Sequence, residues 1–224
     1  MTNFIEFLFF FLIILILFEI IIFLFVRKLK KNFQWLITRE DEFPFKNNID
    51  LKKFIKNSYN KKLGWDRKKN SFGYETLLNR KTKFTITKYG FRKSRYKNQN
   101  STISVFGDSY AFCRYVNDDK TWESYLEHRI KKSVRNYGVG NFGIDQSYLK
   151  FKQTKLSKNT KLILFAFVPE TISRINSFWK HYSEFGNKFG FKPIFIIRNG
   201  KLILLENPLK KVNNINQLKK KINY

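Results

Sequence analysis

The stretch SVFGDSYAFC, residues 104–113, joins a short apolar run to a Gly-Asp-Ser triplet. The apolar run predicts a buried strand, and the small and polar residues after it predict a tight turn at its end. A surface loop would be more polar, and an ordinary strand would not end on these three residues. Because ligands bind beyond the carboxyl ends of the strands in a parallel α/β sheet, Ser109 lies where its hydroxyl can meet a substrate. Ser109 is therefore a candidate nucleophile.

The neighbouring segments predict a layered α/β domain with a parallel sheet, because strand and helix patterns alternate. The expected strands are ISVF, VRNYGV and KLILFAFV, and the expected helices are DKTWESYLEHRIKK and IDQSYLKFKQTKL. The third strand is apolar throughout, which is typical of a strand covered on both faces. Two later apolar runs joined by Asn199-Gly200 predict a hairpin, since Asn-Gly favours a two-residue turn.

The first of these helices is expected to begin at an N-cap of Asp118 or Asp119. Its apolar residues at helical spacing, which should face the sheet, are Trp122, Tyr125, Leu126 and Ile130. The C-terminal stretch INQLKKKINY predicts a further, basic helix.

The N-terminal part of the chain predicts a membrane anchor. Residues 4–26 form an almost unbroken apolar run, and about 20 such residues suffice to cross a hydrocarbon core as a helix. A cleaved signal peptide fits poorly, because no basic residue precedes the run and RKLKK follows it where small cleavage-site residues belong. We therefore expect an uncleaved single-pass helix that contacts the lipid bilayer. Its basic flank does not fix the orientation, since every segment of the chain is basic.

Three regions follow from these patterns. The anchor with its basic flank is assigned to residues 1–31, a polar lead-in with one short strand ending at Gly90 to residues 32–100, and the α/β domain to residues 101–224. We expect that domain to be incomplete at its C-terminus, because three strands and a hairpin make a thin sheet.

Composition excludes several classes of function. The net charge is +27, from 44 Lys and Arg against 17 Asp and Glu, but the lysines are spread along the chain and no nucleic-acid-binding motif accompanies them. We therefore expect no nucleic-acid partner. One Cys cannot form an internal disulfide, and with only two His we expect no metal site and no cofactor.

Together, VFGDSYAF after one strand and RNYGVGNFGIDQ after the next resemble the SGNH/GDSL hydrolase superfamily. The resemblance covers roughly residues 60–210. It implies a flavodoxin-like three-layer α/β/α fold with a parallel sheet. It also implies four sequence blocks: Gly-Asp-Ser with the nucleophile, a Gly-rich turn after Asn that supplies an oxyanion-hole N–H, an Asn that completes the hole, and Asp-x-x-His with the base.

Carried over to this chain, the resemblance makes Ser109 the nucleophile and gives Asp108 the role of shaping its turn. The second block matches Asn136 and residues 138–143. The two residues whose N–H groups are the best candidates to face the oxyanion are Gly140 and Asn141.

The third and fourth blocks depart from the family pattern. Glu170 sits where the third block has Asn, and a carboxylate cannot donate a hydrogen bond to an oxyanion unless it is protonated. No Asp-x-x-His occurs in the chain. Of the two histidines, His128 is expected on a helix surface, and His181 is the better stand-in for the base because it follows the third strand.

The resemblance implies a serine esterase or acyl transferase that works through an acyl-serine intermediate on a small ester or acylated glycan. The missing base favours an alternative, a catalytically inactive or truncated membrane-anchored relative with a binding role. A second alternative is a dinucleotide-binding protein, because GVGNFG at residues 138–143 matches G-x-G-x-x-G. Against it, Glu170 lies about 30 residues beyond the first glycine instead of about 20. Asp145 would also compete with a pyrophosphate at the helix N-terminus.

Overall fold

A computed structural model describes residues 2–30, 32–33, 48–96, 101–184 and 186–209. The chain divides into two compact units, Met1–Phe43 and Pro44–Tyr224. The basic helix expected at the C-terminus lies outside the described residues.

The first unit contains one long helix, α1 at Thr2–Leu29. Its segment Phe4–Leu29 reaches a mean hydropathy of 3.3, and none of that apolar window is buried. A helix of 28 residues is about 42 Å long, which exceeds a hydrocarbon core of about 30 Å. By length and composition the helix could therefore cross a membrane, and a signal sequence would satisfy the same criteria.

The second unit holds the other described elements. Its helices are α2 at Asn48–Asn57, α3 at Ser109–Phe112, α4 at Trp122–Ile130, α5 at Ile144–Gln153 and α6 at Lys180–Ser183, with 3₁₀ turns at Asp118–Lys120 and Pro169–Asn176. Its strands are β1 at Tyr59–Asn60, β2 at Gly64–Trp65, β3 at Ser71–Leu77, β4 at Arg80–Ile86, β5 at Ile103–Gly107, β6 at Val134–Asn136, β7 at Leu162–Ala166, β8 at Ile194–Arg198 and β9 at Lys201–Leu205.

A parallel three-stranded sheet, in the order β6-β5-β7, carries the Gly-Asp-Ser triplet. Its central strand is β5, with Val105 opposite Asn136 on one side and Leu164 on the other. The predicted α/β domain with a parallel sheet is confirmed. The last residue of β5, Gly107, has no room for a side chain, because a Cβ there would lie 2.0 Å from the carbonyl oxygen of Ala166 on β7.

Aromatic rings pack between the sheet and α5. Phe106 on β5 is fully buried, and its ring centre lies 5.0 Å from that of Tyr137 and 5.6 Å from that of Phe151 on α5.

The prediction that both faces of β7 are covered is wrong, since Leu162 is 47% exposed and Phe165 is 37% exposed. β7 is an edge strand, and no strand pairs with its outer side in the described part of the chain.

Two antiparallel hairpins accompany the sheet, β3 with β4 and β8 with β9. The sequence predicted only the second strand of the first hairpin and placed its end at Gly90. β4 instead ends at Ile86, because a turn follows in which the Gly90 N–H donates to the Thr87 carbonyl at 3.0 Å. The predicted C-terminal hairpin is confirmed: Asn199 and Gly200 have φ angles of 51° and 69°, the left-handed pair of a type I′ turn.

The helix α4 begins later than predicted. Its N-cap is Thr121, whose hydroxyl accepts the Ser124 N–H at 3.1 Å. Asp118 and Asp119 belong to the preceding 3₁₀ turn, so the predicted cap was wrong. The hydroxyl of Thr121 fulfils the role expected of an aspartate side chain.

The buried side of α4 is also more polar than predicted. Its buried residues are Glu123, Ser124 and Glu127. Trp122 and Tyr125 are exposed, and of the predicted apolar face only Leu126 and Ile130 pack into the core. Polar burial is tolerated because the carboxylate of Glu127 accepts hydrogen bonds from two N–H groups. These are the N–H of Arg95, at 3.0 Å, and that of Val134, at 2.7 Å.

Candidate functional site

Ser109 is the first residue of α3 and comes two residues after Gly107, the last residue of β5. Its position at the carboxyl end of the central strand is the one that the sequence predicted. Asp108 is buried and caps α3, because its Oδ1 accepts the Tyr110 N–H at 2.8 Å. Asp108 therefore fixes how the helix starts and where Ser109 points. Ser109 itself is half-buried, and no hydrogen bond to its hydroxyl is found among the described residues.

The Gly-rich turn at residues 138–143 begins against α3. The side chain of Asn136 joins the two segments. Its amide donates to the Ala111 carbonyl at 2.7 Å, and its Oδ1 accepts the Gly138 N–H at 2.8 Å. The structure therefore brings the first two predicted blocks together at the ends of neighbouring strands.

Gly138→Ala is expected to lower the free energy of unfolding by about 1–3 kcal/mol, because a Cβ there would lie 2.4 Å from the Phe112 backbone nitrogen. Gly140→Ala is the matched control, since its Cβ would meet no other atom closer than 3.8 Å. Urea unfolding of the full chain in detergent micelles, followed by tryptophan fluorescence, measures both variants. Equal losses in the two variants would contradict the close approach of the turn to α3.

Gly140 and Asn141 line a cavity of about 240 Å³ together with Arg67, Glu75 and Arg114. Both arginines approach the turn: a Cβ at Gly140 would lie 3.8 Å from Cδ of Arg114 and 3.9 Å from Nη2 of Arg67. Ser109 is not among the lining residues. It adjoins the cavity through the backbone, since the N–H of Arg114 donates to the Ser109 carbonyl at 3.2 Å.

The lining of this cavity carries two cationic residues, Arg67 and Arg114, and two acidic ones, Glu75 and Asp66. The carboxylate of Glu75 accepts from Arg67 at 2.9 Å and from Arg114 at 3.3 Å, so two guanidinium groups share one carboxylate. Asp66 pairs with Lys150, which does not line this cavity. Burial lowers the pKa of Arg67 and the charge of Glu75 opposes that shift, but an arginine remains protonated at neutral pH. The lining therefore places both guanidinium groups close to the turn while its charges balance.

Glu170 and His181 lie in the segments that follow β7. Glu170 is exposed in the 3₁₀ turn, and it is not among the residues that line the 240 Å³ cavity. His181 is buried on α6, where its Nδ1 accepts the Gly186 N–H at 3.0 Å and its ring centre lies 5.4 Å from that of Trp179. A neutral imidazole that accepts at Nδ1 carries its hydrogen on Nε2. Nδ1 also lies 3.4 Å from the Gly186 carbonyl oxygen, so the other tautomer, with its hydrogen on Nδ1, finds an acceptor there.

The N-terminus of α5 is closed by its own side chains. Asp145 accepts the Gln146 N–H at 2.8 Å, and Gln146 accepts the Gly143 N–H at 3.2 Å. Asp145 also forms a buried ion pair with Lys192. The N–H groups that a pyrophosphate would bind are therefore engaged, which weakens the dinucleotide alternative.

Arg92, which was not predicted from the sequence, is buried and holds the chain after α3 in place. Its Nη1 donates to the carbonyls of Phe112 and Cys113 at 2.6 and 2.7 Å, and its Nη2 donates to the Val116 carbonyl at 2.6 Å. Its Nε pairs with Asp118 at 2.9 Å. Arg92 follows a strand of the lead-in, and no local pattern marks it.

Burial raises the pKa of the neighbouring Cys113 to about 11, so Cys113 remains a protonated thiol at neutral pH.

Glu123 makes the stability of the second unit depend on pH. Both of its carboxylate oxygens are buried, and burial raises its pKa from an ordinary 4.5 to about 7, against the opposing effects of Thr121, Arg92 and Asn136. Because the folded pKa lies above the unfolded one, the folded state holds the proton more tightly. This tighter binding of the proton stabilises the folded state. The stabilisation is fully present below the unfolded pKa and is lost as pH rises through about 7.

Glu123→Gln is therefore expected to raise the free energy of unfolding by about 2–3 kcal/mol at about pH 8 and by less than about 1 kcal/mol at about pH 5. The exposed Glu170→Gln is the control and should change little at either pH. Urea unfolding of the full chain at both pH values is the measurement. A pH-independent difference between Glu123→Gln and the unmodified protein would show that Glu123 is already ionised in the folded state.

Comparisons with protein-family models, with curated proteins and with solved structures found no match to this chain. Within the described ranges, no three His, Cys, Asp or Glu side chains cluster as the ligands of a metal ion would.

Proposed function

We propose that the second unit is an SGNH-type serine esterase or acyl transferase in which Ser109 is the nucleophile. The observation that carries the proposal is the contact made by Asn136. It holds the helix that bears Ser109 against the turn that bears the candidate oxyanion N–H groups. The strand order supports the same proposal, because β6-β5-β7 corresponds to 2-1-3, the start of the flavodoxin-like order 2-1-3-4-5.

In the proposed reaction, Oγ of Ser109 forms a bond to the carbonyl carbon of an ester while its proton passes to a base. The carbonyl oxygen becomes an oxyanion, which the N–H of Gly140 or Asn141 stabilises. Arg67 and Arg114 add positive charge beside it. Collapse of the intermediate breaks the bond to the alcohol, which takes up the proton and leaves an acyl-serine. Water or a second alcohol then accepts the acyl group and restores the hydroxyl.

His181 is the candidate base. To take the Ser109 proton through Nε2, the imidazole must carry its own hydrogen on Nδ1. Nδ1 lies 3.4 Å from the Gly186 carbonyl oxygen, which can accept that hydrogen. His181 does not line the 240 Å³ cavity.

A binding role without turnover is the second candidate function. It is favoured by the absence of Asp-x-x-His from the sequence, because a serine without an available base is a poor nucleophile. In this case the cavity would hold an acylated ligand without cleaving it.

We further propose that α1 is a single-pass anchor that keeps the second unit at a membrane, and that the substrate is a small ester or an acylated glycan. The length and hydropathy of α1 support the anchor. The positive charge of Arg67 and Arg114 beside the turn supports a substrate that develops or carries negative charge.

Hydrolysis of p-nitrophenyl acetate by the full chain in detergent micelles tests the proposed function. The unmodified protein is expected to release p-nitrophenol much faster than the background rate, and Ser109→Ala is expected to lose nearly all of that excess. Folded protein with no activity would instead favour the binding role.

A further inference from the structure

The second unit contains a larger cavity, of about 910 Å³. Its lining comes from four stretches of the chain, within residues 60–69, 87–96, 133–137 and 150–157. Ser109, Gly140 and Asn141 do not line it. Asp66 lines both cavities and forms an ion pair with Lys150, which lines only the larger one. The larger cavity therefore adjoins the candidate active site but is a separate candidate for binding.

Positive charge dominates the lining of this cavity. Its cationic residues are Lys69, Lys88, Lys93, Arg135, Lys150 and Lys155, and its one described acidic residue is Asp66. Asp66 is already paired with Lys150. No described carboxylate forms an ion pair with the four lysines Lys69, Lys88, Lys93 and Lys155. Like charges gathered around one space repel each other, and an anionic ligand would relieve that repulsion.

Tyr89 gives the same cavity a flat wall. Its ring is 55% exposed and stacks on Phe91, with ring centres 6.0 Å apart and planes 5° apart. Phe91 in turn contacts the buried ring of Tyr137, at 5.7 Å between centres. The Lys88 ammonium lies 5.3 Å from the centre of the Tyr89 ring. Its neighbours therefore hold Tyr89 in place, and its exposed part can contact a ligand ring with little loss of side-chain freedom. Neutral polar side chains, among them Asn60 and Gln153, also line the cavity.

We propose that this cavity binds an anionic oligosaccharide, a short sugar chain that bears carboxylate, sulfate or phosphate groups. The C–H face of one sugar ring packs on Tyr89, the acidic groups pair with Lys88 and Lys93, and the hydroxyls bond to Asn60 and Gln153. A cavity of this size is in the range of about 300–1,000 Å³ that encloses a compact ligand. A single-stranded nucleic acid held by the same cations and stacked on Tyr89 is the alternative that the test below distinguishes.

Isothermal titration calorimetry on the full chain in detergent micelles tests this proposal. The acidic probes are tetragalacturonate and a sulfated heparin tetrasaccharide, the neutral control is maltotetraose, and the nucleic-acid control is a four-nucleotide oligothymidylate. We expect at least one acidic tetrasaccharide to bind more tightly than both controls. Tyr89→Ala and the double variant Lys88→Gln/Lys93→Gln should each weaken that binding by about tenfold or more.

Two further variants make the result specific. Lys201→Gln, on the exposed β9, should bind as the unmodified protein does, because it removes the same charge away from the cavity. Ser109→Ala should also bind normally, so a failure of the proposed acyl-transfer function leaves this result unaffected. The proposal is overturned if neither acidic tetrasaccharide binds, if the oligothymidylate binds more tightly than both, or if the folded cavity variants bind normally.

Discussion

Ser109→Ala is expected to lower kcat/KM for p-nitrophenyl acetate by about a thousandfold or more, because the acyl-serine intermediate cannot form without the hydroxyl. A thousandfold loss corresponds to about 4 kcal/mol of transition-state stabilisation. Residual turnover should remain slightly above background, since the turn at residues 138–143 and the nearby arginines can still stabilise an oxyanion formed by water attack. The measurement is the initial rate of p-nitrophenol release as a function of ester concentration.

The control for this prediction is Ser173→Ala. Ser173 is exposed, and its hydroxyl donates to the Glu170 carbonyl at 2.9 Å, away from α3. Its removal should leave kcat/KM unchanged. If Ser109→Ala retained full activity while remaining folded, the hydrolysis would arise elsewhere in the protein and the proposed nucleophile would be wrong.

Arg92→Met is expected to lower the free energy of unfolding by about 3–5 kcal/mol, because it breaks a buried ion pair and leaves its partners unsatisfied. The buried guanidinium bonds to the carbonyls of Phe112, Cys113 and Val116 and to the carboxylate of Asp118. Methionine keeps much of the side-chain volume but offers no donor. The segment after α3 would lose its fixed position, so hydrolysis should fall as well.

Urea unfolding of the full chain in micelles measures this loss. Arg92→Lys should give an intermediate loss, because an ammonium group keeps the charge but cannot reproduce the planar fork. Arg95→Met is the matched control, since Arg95 is exposed and only its backbone N–H contacts Glu127. Similar losses in Arg92→Met and Arg95→Met would contradict the role assigned to Arg92.

The parts of the fold that the sequence predicted correctly depend on short, local patterns. β5 and β7 are apolar runs between turn residues, and the β8–β9 turn is set by Asn199-Gly200. The buried face of α4 could not be predicted in this way. Its polar residues are buried because backbone N–H groups of the lead-in and of β6 reach Glu127, and the Arg95 contact spans 32 residues of sequence.

The candidate site was likewise predicted from the sequence only in part. Ser109, Asp108 and the Gly-rich turn were found from sequence because each motif is contiguous. The charged residues around the cavity were missed, since Glu75 on β3 meets Arg114 across 39 residues of sequence. One signal was available: with 17 acidic residues against 44 basic ones, each acidic residue, Glu75 included, is a strong candidate for an ion pair.

The most direct test of the central claim is covalent labelling with a fluorophosphonate, followed by mass spectrometry of the digested protein. The reagent modifies a serine whose hydroxyl is activated for attack. We expect an adduct on Ser109 in the folded full chain, and no adduct after denaturation or in Ser109→Ala. A folded protein that gains no adduct, or gains it on another residue, would contradict the assignment of Ser109 as an acyl-transfer nucleophile.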